Sequence, residues 1–180
     1  MSSGEDNQLV RATLDGDRAA FDELVDRYQM KIYNLALRVT GNREDALDVS
    51  QTSFLKAYDH LEQFKPAYRF FSWLYRIAMN EALDLVGRRQ KLTELSSEIL
   101  EPTAGPEAEC WGNQAGRRLQ AALMALKPSY RAVVVLRHLH GLSYREISGV
   151  VGAPERTVKS RLFTARQQLR TRLAASGVTP

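Results

Sequence analysis

The 180-residue sequence predicts an all-α protein of two small helical domains joined by a flexible linker. Three observations carry that expectation. Apolar residues recur at three- and four-residue spacing on both sides of the chain's middle, the period of an amphipathic helix. Residues 93–116 break the pattern with Pro102, Gly105 and Pro106 among Glu94, Glu98, Glu101, Glu107 and Glu109, a composition that suits a linker. Charge changes sign there. Residues 117–180 carry twelve Lys/Arg against Glu146 and Glu155, whereas residues 1–116 carry thirteen against nineteen acids. The expected units are 1–92, a linker at 93–116, and 117–180.

In the first unit, Phe21, Leu24, Val25, Tyr28, Ile32, Leu35, Ala36 and Val39 mark one helix. Gly41-Asn42 ends it, and Asn42 is suited to cap the next. That next helix, to residue 61, is expected to bury Ala46, Ser50, Phe54, Ala57, Tyr58 and Leu61. Its far face carries Asp45, Asp48, Thr52 and Asp59, bordered by Val49, Leu55 and Lys56. Apolar side chains beside an acidic stripe can meet a partner helix, and a plain solvated face is the other reading. A helix over about 70–90 places Phe71, Leu74, Tyr75, Ala78, Ala82 and Leu85 inward and Trp73, Arg76 and Asn80 on the opposite strip. Residues 64–75 hold six of the fifteen aromatics, and residues 63–91 carry six Lys/Arg against Glu81 and Asp84. Aromatic faces stack on unpaired bases while cations follow phosphates. The loop from Lys65 through Tyr68 to Arg69 is placed to hold a flipped base. A small aromatic core is the competing use of the same residues.

The second unit predicts helices near 117–126, 129–139, 143–150 and 154–173. Val133-Val134-Val135 taken alone suits a strand, but its short connections favour helix. Ser143 and Glu146 form a capping box. Gly152-Ala153-Pro154 makes a turn, with Pro154 near the start of the next helix. Two short helices about such a turn are a DNA-reading helix-turn-helix. On the last helix Val158, Leu162, Ala165, Leu169 and Leu173 face inward. Arg156, Lys159, Ser160, Phe163 and Thr164 are assigned to bases and nearby phosphates, and Arg161, Arg166 and Arg170 to phosphates, which position without specifying. An outward Phe163 suits contact with a thymine methyl, and packing against the 129–139 helix is the other reading.

Other classes lack support. Cys110 is alone, so no internal disulfide is expected. His60, His138 and His140 do not form a zinc pattern, and no metal or other cofactor is expected. No constellation of carboxylates or histidines suggests an enzyme. No apolar run approaches the ~20 residues of a membrane span. The polar, acidic start is no signal peptide, which leads us to expect a cytoplasmic protein.

Together the motifs resemble the extracytoplasmic-function subfamily of bacterial RNA polymerase sigma factors. Asn42-Arg-Glu-Asp-Ala-Leu-Asp-Val-Ser-Gln-Thr-Ser-Phe-Leu-Lys-Ala-Tyr58 resembles the region 2 segment that grips the polymerase clamp. Phe70-Phe-Ser-Trp-Leu-Tyr-Arg-Ile-Ala-Met-Asn-Glu-Ala-Leu-Asp84 resembles the segment that opens and reads the minus-ten element. The stretch from Leu126 to Ile147, with Thr157-Val-Lys-Ser-Arg-Leu162, resembles region 4, which reads the minus-thirty-five element. The resemblance implies that Asp45, Asp48, Gln51, Thr52 and Leu55 face the clamp helices of core RNA polymerase. It implies that the 65–69 loop captures an unstacked base, that Trp73, Arg76 and Asn80 support the separated strand, and that Lys159, Ser160, Phe163 and Thr164 read duplex promoter DNA. An anti-sigma factor is a further implied partner. The departures are Lys65-Pro66-Ala67-Tyr68, where relatives often have glycine and small polar residues, and Thr164, where many have arginine. A stand-alone helix-turn-helix regulator accounts for the C-terminal third only.

Overall fold

A computed structural model describes residues 3–96 and 114–175, and among these the regular elements are all helical. In chain order they are α1 (Ser3–Leu14), α2 (Arg18–Thr40), α3 (Arg43–Asp59), a short 3-10 turn (Leu61–Gln63), α4 (Phe70–Ser96), α5 (Gln114–Met124), α6 (Pro128–Val134), a π turn (Val135–Leu139), α7 (Tyr144–Val151) and α8 (Glu155–Ala175). Residues 97–113, with Cys110 and most of the expected linker, lie outside the described residues.

Local chemistry sets the boundaries. Asp17 accepts from the Ala19 amide at 3.0 Å and opens α2. Gly41 closes α2 with φ +77, a left-handed conformation that favours glycine. Asn42 then accepts from the Asp45 amide and starts α3. The capping box of α7 is complete, and Gly152, at φ +61, ends it. Pro154 stands just ahead of α8, and its carbonyl accepts from Val158. The Val133–Val135 run is helical and buried, passing from α6 into the π turn.

The α1 helix departs from the expectation, which placed no element there. It is pinned by a buried carboxylate. Asp6 takes an ion pair from Arg27 at 2.7 Å and a hydrogen bond from the Tyr28 hydroxyl at 2.6 Å. Burial, then the Asp6 bond and charge, hold the Tyr28 phenol above its ordinary range.

The first domain buries Leu24, Ile32, Leu35, Val39, Ala46, Phe54, Phe70 and Leu74 between α2, α3 and α4. The second buries Leu123, Val133, Leu136, Ile147, Val158 and Leu162. The two cores are continuous. Helix α7 lies on α4, and α5 and α6 meet the C-terminal end of α2. Arg131 of α6 is fully buried, and no described carboxylate is paired with it. Its guanidinium instead donates to the carbonyls of Leu123, Met124 and Leu126 and, across the domain seam, of Val39. Burial lowers its pKa to about 10, which leaves it charged at neutral pH. A buried charge is tolerable when its donors are taken up in this way. Gln120 donates to Leu37 O and accepts from Arg38, both at 3.4 Å. Met124 seats on Gly41, where a Cβ would come within 2.7 Å of its sulfur.

Candidate functional site

Three surfaces contain the expected site residues. The first is the outer face of α8. Val158, Leu162 and Ala165 are buried and fix the helix phase, with Leu169 and Leu173 partly buried beside them. The phase turns Arg156, Lys159, Ser160, Phe163, Arg166 and Arg170 outward, while Thr157, Arg161 and Thr164 are half-buried at the flanks. Phe163 is 66% exposed, so it does not pack on α6. Lys159 is braced from α7: its ammonium lies 5.6 Å from the centre of the Tyr144 ring. The Arg137 guanidinium lies 5.0 Å from the same ring and also donates to Leu142 O. Arg166 reaches His138 at 3.3 Å. Burial, then Arg166 and Arg137, lowers the His138 pKa and keeps that ring neutral. The cationic face is therefore ordered by its own neighbours before any ligand arrives.

The second surface is the loop and strip at the start of α4. Lys65, Tyr68 and Arg69 are exposed, and the loop is tethered from α1 by Asn7, whose side-chain amide donates to Pro66 O at 3.3 Å. Arg76 and Asn80 are exposed as expected. Trp73 differs. It is half-buried, with its ring 5.6 Å from Phe64 and 5.8 Å from Phe70. The expected exposed strip is thus Arg76 and Asn80, with Trp73 forming the edge of an aromatic cluster beneath. Tyr75 is buried, and its hydroxyl meets His140 Nδ1 at 2.9 Å. Burial, then Lys31, lowers the His140 pKa to about 4, so the ring is neutral there.

The third surface is α3. Its residues divide. Asp48 is exposed, Thr52 is half-buried, and Asp45 turns back to an ion pair with Arg89 of α4 at 2.6 Å. Gln51 and Leu55 instead line a groove of about 860 Å³ between α2 and α3, whose walls include Phe21, Val25, Leu47 and Tyr58. Leu47, Leu55 and Tyr58 are largely exposed there. Two assignments on this helix are corrected. Val49 is core and does not border the acidic face. Tyr58 is exposed, lying edge-on to Phe21 at 5.0 Å. Leu47 and Tyr58 were missed as groove residues. Their signal was available in the sequence, since Leu47, Gln51, Leu55 and Tyr58 follow helical spacing.

The described residues hold no cluster of His, Cys, Asp and Glu that suits a metal ion, and no helix long and apolar enough to cross a membrane. Residues 24–92 match the family model described as Sigma-70 region 2, and residues 116–169 match Sigma-70, region 4. Similar curated proteins include the ECF RNA polymerase sigma factor SigE of Mycolicibacterium smegmatis, 40% identical over 88% of this chain and 65% of that protein. This chain therefore spans somewhat less than two thirds of that relative's length. RNA polymerase sigma-H factor of Pseudomonas aeruginosa is 34% identical over 94% of both chains, and SigW of Bacillus subtilis is 32% identical over 91% of this chain and 94% of its own. Among solved structures, CnrH in complex with the cytosolic domain of CnrY is similar over 95% of this chain and 98% of that one, with a TM-score of 0.75 and 27% identity. The sigma factor RpoE of Bartonella quintana, in complex with the anti-sigma factor NepR, shares the fold at a TM-score of 0.71 and 21% identity.

A helical region 2 followed by a region 4 helix-turn-helix defines an RNA polymerase sigma factor, a transcription initiation factor. Its relatives place the chain more narrowly: it belongs to the extracytoplasmic-function sigma factors.

Proposed function

We propose a division of labour among the three surfaces. The α2–α3 groove, with Asp48, Gln51 and Leu55, docks the clamp helices of core RNA polymerase. The 65–69 loop with Arg76 and Asn80 takes the separated minus-ten strand, and Trp73 backs that strip from below. The outer face of α8 reads the minus-thirty-five duplex through Lys159, Ser160 and Phe163, with Arg156, Arg166 and Arg170 on phosphates. Residues 1–92 and 117–180 act as the two promoter-binding units, and 93–116 sets the distance between them. The cytoplasm is the compartment in which these partners meet, and an anti-sigma factor is the expected regulator.

The observation that carries this reading is the exposure of Phe163 beside Lys159 on a helix whose other side is sealed into the core. Base trapping stabilises an open promoter without covalent chemistry. Two weak contacts tethered to one polymerase then add as avidity. The test is promoter mapping with core polymerase and fragmented genomic DNA. Lys159→Ala should weaken duplex binding by roughly tenfold, within the ~1–3 kcal/mol of such contacts, and leave core binding intact. Leu55→Asp should abolish comigration with core and leave duplex binding intact. Equal loss of both activities in either variant, or an absence of promoter-specific starts with the unaltered protein, would overturn the assignment.

A further inference from the structure

Glu146 uses its two carboxylate oxygens on two different domains. Oε2 accepts from the Ser143 amide at 2.9 Å and from the Ser143 hydroxyl at 2.7 Å, which closes the capping box of α7. Oε1 faces Nη1 of Arg69 at 3.5 Å, across the seam in the loop of the first domain. The same seam continues through the Tyr75–His140 hydrogen bond. The N-terminal end of the helix-turn-helix thus lies over residues 69–75, the first stretch of the strip assigned to the separated strand.

We propose that the Glu146 carboxylate holds, in the free protein, the position on Arg69 that a promoter phosphate takes in the complex, so that region 4 is a resident competitor for the capture loop. The proposal rests on the reading of residues 65–69 as the strand-binding loop. Carboxylate and phosphate oxygens present the same acceptors to a guanidinium, so one replaces the other without rearrangement of the arginine. Glu146 is prepared for this role. Burial alone would raise its pKa, but the Ser143 bonds and the Arg69 charge outweigh that and keep it ionised. Its second oxygen is therefore fixed in place by the cap whether or not Arg69 is present. The competition is confined to one end of the strip, because Arg76 and Asn80 stay exposed. It is also modest. The Arg69 side chain is 64% exposed and the contact is long, so the pair belongs with weak surface ion pairs. A weak competitor is one that polymerase binding can displace.

Glu146→Gln separates the two jobs, because glutamine serves at the same position of a capping box. The probe is a fluorescein-labelled single-stranded DNA twelve-mer of mixed sequence, titrated at low salt into the full-length protein without polymerase. Glu146→Gln is expected to tighten binding two- to fivefold, within the range of a surface ion pair. In an Arg69→Ala background the same change should give no gain, which distinguishes release of Arg69 from a general loss of negative charge. Thermal unfolding within a few degrees of the parent would verify that the cap survives. No gain from Glu146→Gln, or an equal gain with and without Arg69, would overturn the competition. If Arg69→Ala alone fails to weaken strand binding, the capture-loop reading beneath it falls instead.

Discussion

Tyr144 carries two cations on one ring, and this gives it a role in recognition that its place at the start of α7 does not suggest. Lys159 is long and exposed, and a free lysine samples many rotamers; a ring face narrows them at a gain of about 0.5–1 kcal/mol for an exposed cation. Tyr144→Phe keeps the ring face, so we expect duplex affinity and base preference to hold. Tyr144→Leu removes the face, and we expect discrimination between the best site and single-base variants to fall about twofold to fivefold with an unchanged salt slope, read by competition binding. An unchanged discrimination would show that Lys159 needs no brace. At this scale the sequence was readable where one apolar stripe sets a helix's phase. Val158, Leu162 and Ala165 set the phase of α8, and the exposure of Phe163 decides between the outward reading and packing on α6. For Trp73, spacing within one helix cannot choose between strip and aromatic core, because Phe64 and Phe70, one on a loop and one at a helix start, converge beneath it and leave it half-buried.

At the level of elements, caps and breakers were legible and α1 was not. Gly41, Asn42, Ser143 and Gly152 mark boundaries through local backbone chemistry, which is written in neighbouring residues. Helix α1 is held instead by Asp6 on Arg27 and Tyr28, a buried polar contact over twenty residues apart that apolar periodicity cannot register. The groove on α3 shows the same limit. Helical spacing places Leu55 beside the acidic stripe and the family resemblance adds Gln51, but spacing assigns their partners on α2, Phe21 and Val25, only to the core. Asp6→Ala leaves the Arg27 and Tyr28 groups short of a partner, so we expect a loss of about 1–3 kcal/mol by urea unfolding. Because Asn7 holds Pro66, the same substitution should also weaken single-strand binding while leaving binding of duplex to α8 unchanged. A loss of stability with full strand binding would mean that α1 supports the core alone. Ser143→Ala should cost about 1 kcal/mol through the cap.

On the scale of the whole molecule, the linker composition marks two domains and leaves open whether they pack together; the described residues share one continuous core. The seam is built from Arg131, Gln120, Met124 and His140, residues whose partners lie more than sixty positions away. This closed form cannot span a promoter. Elements centred ten and thirty-five base pairs upstream lie roughly 85 Å apart at about 3.4 Å per base pair, whereas a compact chain of this length has a radius of gyration of about 16 Å. On the division of labour proposed above, the domains part on polymerase. With Cys110→Ser and dyes on Asp59→Cys and Gln167→Cys, energy transfer should fall when core polymerase is added; constant transfer would exclude the opening. Acid should loosen the same seam. His140 has a pKa of about 4 when closed, facing Tyr75 and Lys31, and an ordinary value near 6.5 once exposed. The open form thus binds more protons between those values, so closure is fullest above about pH 6.5 and weakens as pH falls toward 4. Transfer should decline over that window, and His140→Gln should flatten the response.

The seam's two longest-range anchors, Arg131 and Gln120, end on the main-chain carbonyls of Val39 and Leu37. A carbonyl belongs to every residue, so side-chain drift along that turn of α2 leaves both acceptors in place. The burden of inheritance falls on one partner. Paralogues with unrelated α2 surfaces should still accept this C-terminal domain in a chimera, provided that a glycine remains under Met124 and the turn keeps its shape.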